Sequence, residues 1–208
     1  MKRILLLGAA ALALATSVAL AQGVNQVPQV GTISNIIRNP TYSASSIGLV
    51  PAASATDIFC LAPSTTRNMS IRKITIGGTA GTAIDTPFIL YKRATVDTGG
   101  TAATGLAAPV AAGLGTTDPA STATLIAYTA NPTITDSSPI VMDIATVPID
   151  VTTTANGQTT LTYGTSQDLF SKGLDLPKNS TKQLCVNLNG VSISSGVLDI
   201  NAQWQESP

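Results

Sequence analysis

From Leu198 to Gln205 the chain alternates without a fault: Leu198, Ile200, Ala202 and Trp204 are interleaved with Asp199, Asn201, Gln203 and Gln205. Side chains two residues apart share a face only in an extended strand, so this stretch predicts a strand with one buried and one wet face and speaks against a helix. A second alternation, Gln183 to Leu188, places Leu184, Val186 and Leu188 inward and Gln183, Cys185 and Asn187 outward. Asn189-Gly190 and Ser194-Ser195-Gly196 bound the connection between the two. An antiparallel hairpin with a loop of about eight residues is the economical expectation.

Upstream, Thr56 to Ala62 reads as a short apolar strand, and Asn68 to Ile76 as another whose phase slips, because Ile71 and Ile74 are three apart and Ile74 and Ile76 two. A β-bulge at Arg72-Lys73 restores the pattern by adding one residue. Gly77-Gly78 and Gly81 read as a turn between strands. Thr86 to Arg93 is the next strand, with Pro87 confining its start to an edge or first position. Ala123 to Thr129, Ile140 to Val147, Gln158 to Tyr163 and Leu169 to Leu176 are further strand candidates. Composition agrees: 30 Thr, 18 Ser and 17 Gly stand against a single glutamate, Glu206, whereas helices draw on Glu, Lys, Leu and Arg for their exposed faces. The fold class expected is all-β, an antiparallel β-sandwich of jelly-roll type with a long Ala/Gly/Thr-rich loop; a closed barrel stays open as the alternative.

The chain begins with a positive Met1-Lys2-Arg3, an uncharged apolar run from Ile4 to about Ala15, and a small-x-small Ala19-Leu20-Ala21 before Gln22. Those are the three parts of an export signal, so residues 1–21 are expected to be cleaved and the protein secreted or periplasmic. The competing reading is a membrane anchor, since Ile4 to Ala21 spans 18 residues. Residues 22–50, mixing Gln, Asn, Pro and Ser with isolated Val and Ile, suggest an extended N-terminal arm, and residues 51–208 the β-domain. Ala94 to Ser121 holds no Lys, no Arg and two Asp, and reads as a long surface loop or as a segment ordered by a neighbouring subunit.

Function classes fall away next. Removing Lys2 and Arg3 leaves nine basic against eleven acidic residues, a formal charge of −2, which offers no footprint for nucleic acid or anionic lipid. The chain has no histidine, so Ser-His-Asp and Cys-His arrangements and imidazole zinc sites are absent and a hydrolase is disfavoured. Gly100 to Gly105 spaces two glycines as a phosphate loop does, but Leu106 stands where the lysine belongs. Asp143 with Asp150, or Asp168 with Asp175, are the nearest carboxylate pairs, and solvated turn aspartates are the bland reading. Asp97-Thr98-Gly99-Gly100-Thr101 and Thr116-Thr117-Asp118 offer oxygen ligands suited to calcium, again against a plain turn. No catalytic residue, cofactor or metal site is assigned. Cys60 and Cys185 are the only cysteines of a chain expected to be exported; one disulfide and two separate thiols, with Cys60 buried, both remain open.

Several runs carry a resemblance. Thr56-Asp57-Ile58-Phe59-Cys60-Leu61-Ala62, Ile71-Arg72-Lys73-Ile74-Thr75-Ile76-Gly77-Gly78, Tyr91-Lys92-Arg93 with Asp97-Thr98-Gly99-Gly100-Thr101, Ala127 to Thr133 and Leu184 to Gly190 together resemble an uncharacterised structural-protein family of tailed phages and prophages, also found in some bacterial chromosomes. The resemblance covers roughly residues 50 to 206 and implies a virion-type β-sandwich with no reaction attached. The export signal departs from that pattern and favours an exported, chromosomal relative. Two functions are therefore expected: a non-enzymatic structural or assembly protein, exported or virion-like, that self-associates into a homo-oligomer, or an extracellular adhesive module that binds a glycan or other ligand through loops at one end.

Overall fold

The computed structural model describes residues 39–104, 110–111, 118–151, 158–163 and 174–208. Among these every regular element is a strand: β1 (Thr41–Leu49), β2 (Asp57–Ala62), β3 (Asn68–Ala80), β4 (Ile84–Arg93), β5 (Thr101–Ala102), β6 (Val110–Ala111), β7 (Thr124–Ala130), β8 (Ile140–Val151), β9 (Gln158–Thr162), β10 (Leu174–Leu176), β11 (Gln183–Asn187) and β12 (Val197–Ser207). They form one hydrogen-bonded sheet in the order β5-β7-β2-β11-β4-β8-β3-β12-β1-β6, with β9 and β10 added to β3. The sheet is mixed rather than purely antiparallel, because β8 meets β3 in parallel at Thr79–Asp150 and Ala80–Val151. It curls into a half-barrel, and inward side chains from both its halves make one core.

β12 is the strand that its alternation dictates. Leu198, Ile200, Ala202 and Trp204 are buried, and Glu206 continues the same face inward. Against β3 its register shifts once: Gln203 faces Lys73 and Trp204 faces Ile71, which makes Arg72 the added residue of a bulge. The bulge puts Ile71, Ile74 and Ile76 on one face, as the sequence spacing required. The other flank of β3 is shared in turn by β10, β9 and the end of β8.

Three expectations are corrected. Gly77-Gly78 is no turn: β3 runs on to Ala80, and a Cβ on Gly78 would strike the Val197 carbonyl and the Leu198 side chain, so the glycine permits the close approach of β12. The expected hairpin of 183–188 with 198–205 does not form, since β11 lies between β2 and β4 and β12 between β1 and β3. Alternation fixes the face a residue shows but not the neighbour its strand takes. The connecting turns, with Asn189, Gly190 and Ser195 at φ 55, 77 and 51, are tied instead to Ala55, Thr56 and Gly81.

The compact domain also begins before residue 51, because Thr41–Leu49 is β1, paired with β12. Its inward residues include Tyr42 and Ala44, too few apolar groups to be read as a strand. Tyr42 faces Trp204 directly, with ring centroids 6.0 Å apart. Within Ala94 to Ser121, β5 pairs β7 at one end of the sheet and β6 pairs β1 at the other. Residues 1–38, with the expected signal and most of the expected arm, and 105–109, 112–117, 152–157 and 164–173 lie outside the described residues.

Candidate functional site

A second register shift decides where the polar residues of β2 go. Cys60 faces Cys185 and Phe59 faces Val186, but the next residue of β11, Asn187, faces Asp57, so Ile58 is the added residue. Ile58 consequently joins the core with Phe59 and Leu61, while Asp57 turns to the outer face beside Cys60. Cys60 and Cys185, 125 residues apart, are joined there by a disulfide between directly opposed strand positions, with Cα atoms 4.1 Å apart.

The outer face of β11 is not wet, as its alternation suggested. Gln183, Cys185 and Asn187 are all buried, because the segment from Ala94 to Thr104 crosses over this part of the sheet and brings Asp97 onto the disulfide. Arg93 of β4 donates from Nε to Asp57 Oδ2 at 2.8 Å and from Nη2 to Oδ1 at 2.7 Å, with both side chains sealed from water. Asn187 donates its amide to the same Oδ1. The Tyr91 ring lies 4.6 Å from the guanidinium carbon of Arg93. Such a pair repays its desolvation only when its remaining hydrogen-bond capacity is met, which Asn187 and the aromatic face contribute to here.

Asp97 is the exception within this network. Its Oδ2 lies 3.6 Å from Cys60 Sγ and 3.9 Å from Cys185 Sγ, while its Oδ1 has no hydrogen-bond partner, and neither has Gln183 Nε2. Burial above all, then the neighbouring Asp57 carboxylate, push its carboxyl up to about 7, against the weaker pull of Arg93 and the Gln183 amide. The carboxyl is therefore neutral in mildly acidic solution and changes charge near neutrality. Gly99 and Gly100, at φ 66 and 74, turn the segment back toward β7; Gly100 has only about a side-chain-free space, with the Ala130 carbonyl and the Tyr128 ring 2.9 Å from where a Cβ would sit.

The other sequence candidates are not assembled into a reactive group. Asp143 accepts from the Tyr163 hydroxyl at 3.0 Å and from the Ile144 amide at 2.8 Å, whereas Asp150 lies at the far end of β8, so the two form no dyad. Asp175 accepts from the Ser70 hydroxyl at 2.7 Å beside a cleft of about 330 Å³, and Asp168 is outside the described residues. Asp97 turns inward instead of presenting its loop to a solvent cation, and Thr116 and Thr117 are outside the described residues. Asp57, Cys60, Asp97 and Cys185 bring potential ligand atoms within 4.8 Å of one another, but the two sulfurs are bonded to each other and Arg93 occupies Asp57. Sequence reading missed Asp57, Arg93 and Asn187; the signal available was one polar residue at an end of each of three largely apolar strands.

The second surface is β8. Over Ile140 to Ile149 one edge pairs with β4, and among the described residues no strand pairs with the other edge before Asp150. A register shift at Met142 sets Val141 opposite Tyr91 and Ile144 opposite Ile89, which brings both to the same face. Ile140, Val141 and Ile144 are 60%, 49% and 63% exposed.

Comparison with known protein families, with characterised proteins and with solved structures finds no match to this chain.

Proposed function

We propose that this is a non-enzymatic, exported or virion-like structural protein, related to the phage and prophage family it resembles, that works by self-association. The observation that carries the reading is the β8 edge, from Ile140 to Val147, unpaired among the described residues and set beside exposed Ile140, Val141 and Ile144. Open strand edges are usually protected by lysine, proline or short length. β8 is 12 residues long, carries no Lys or Arg, and has its proline only at Pro148, while Asp143 is held by Tyr163 and by the Ile144 amide. A second copy of the chain is the simplest occupant: two identical edges meet antiparallel across a two-fold axis and continue the β4–β8 ladder from one subunit to the next. The two halves of the sheet, facing each other across one core, favour a sandwich-like subunit of the kind such assemblies use.

The adhesive alternative has less support. Glycan sites use exposed aromatic platforms, and among the described residues Tyr42, Phe59, Phe88, Tyr128 and Trp204 are buried. Light scattering on the size-exclusion peak of the chain lacking residues 1–21 tests the reading. A stable oligomer is expected, and Val141→Lys with Ile144→Lys should return it to a monomer of unchanged melting temperature; a monomeric wild type at high micromolar concentration overturns it.

A further inference from the structure

The disulfide is covered by a segment whose anchors, apart from Asp97 and the Ala103 end, are in contact with water. Residues 94–104 are anchored by the backbone pair Thr98–Thr133, by the Ala94 amide on the exposed Asp136 carboxylate and the Thr181 hydroxyl on the Ala94 carbonyl, by the exposed Thr95 and Thr135 hydroxyls, by the two-residue β5 on β7 with the Thr129 hydroxyl on the Thr101 carbonyl, and by the Ala103 amide on the Ala127 carbonyl. Anchors in contact with water open at lower free energy than buried ones. Asp97 is the buried one, and every polar group that meets it comes from a different strand: Asp57 from β2, Arg93 from β4, Gln183 from β11, with the Tyr128 phenol of β7 and the two sulfurs beside it. The segment itself contains no other titratable group.

We propose that Asp97 latches this segment as a pH-sensitive strap: with its carboxyl neutral the strap seals the Cys60–Cys185 disulfide, and with its carboxyl ionised the strap lifts and admits reductant. The neutral acid can donate its proton toward Asp57. The ionised acid faces a second carboxylate whose single cation, Arg93, is already held by two bonds; inside the site only the uncharged Gln183 amide is left to receive it, and its partnerless Oδ1 gains full solvation by swinging out. Its titration, placed at about 7 by burial and by Asp57, puts the change between mildly acidic and mildly basic solution. The disulfide is then protected from reduction on the acidic side and exposed on the basic side.

The test is the rate at which a water-soluble phosphine reduces the native, full-length protein at about pH 5.5, 7 and 8.5, followed by alkylation and mass measurement. The phosphine attacks one sulfur, the S–S bond breaks, water supplies the oxygen of the phosphine oxide, and its two protons end on the two thiols. Rates are divided by those for oxidised glutathione, which removes the phosphine's own pH dependence. Ionisation rises from about 3% to about 97% over this range for a group titrating near 7, so wild type should react about 30-fold faster at the basic end. Asp97→Asn should be slow and flat. A flat normalised wild-type profile overturns the proposal, as does an Asp97→Asn variant that keeps the wild-type slope or is fast throughout. If that variant does not fold, the wild-type profile decides alone.

Discussion

Arg93 holds Asp57 through two parallel hydrogen bonds, Nε to Oδ2 and Nη2 to Oδ1, in a site where neither side chain reaches water. The pair ties β4 to β2 across the intervening β11. Breaking it from one side strands a buried charge, so Arg93→Met should destabilise the fold by about 3–5 kcal/mol. Arg93→Met with Asp57→Leu should lose less than the single variant, and urea unfolding of both reads the difference.

Trp204 fills the core opposite Tyr42, and its indole N–H donates to Glu206 Oε1 at 3.0 Å, an oxygen that also accepts from the Ser121 hydroxyl. Trp204→Ala should destabilise by about 3–5 kcal/mol and lower the melting temperature sharply. Wild-type stability in that variant would show that β12 is misplaced.

The disulfide closes a loop of 125 residues. Thiol titration of the denatured, unreduced protein should find no free thiol. Replacing both cysteines by alanine should cost about 2–5 kcal/mol, measured as a shift in the denaturation midpoint.

Asp97 makes stability depend on pH with a definite sign. Its carboxyl is raised from 3.8 to about 7 in the folded chain, so the folded state keeps a proton that the unfolded chain releases at lower pH. The unfolded state therefore binds fewer protons throughout that window, and this contribution to stability falls as pH rises through it, then levels above the folded value. Asp97→Asn, neutral at every pH, should lose this slope, so the stability of wild type relative to the variant should decline by about 1–3 kcal/mol, allowing for solvent screening, between about pH 4 and 8 in urea unfolding.

The strand faces were legible because alternation is local. Leu198 to Trp204 follow from period two alone, and the Arg72 bulge from the spacing of three isoleucines whose burial needs a common face. The Ile58 bulge left no such mark. Asp-Ile-Phe-Cys-Leu reads equally well in either phase, and only the register against β11 turns Asp57 outward. The covering of Cys185 was equally illegible, since it depends on a segment about 90 residues away in the chain, whose Asp97 looks in sequence like the start of an ordinary turn.

By itself the sequence determined the class of structure and the inward face of its clearest strands, because both depend on side chains two or three positions apart. It also supplied no histidine, so any group that titrates near neutrality must be a carboxyl or another side chain shifted by its surroundings. Tertiary structure decided which strands became neighbours, that Cys60 met Cys185, and that Asp97 was driven beside Asp57. Those outcomes depend on strand order and register, which are set by the joint burial of residues more than a hundred positions apart, and no local pattern encodes them.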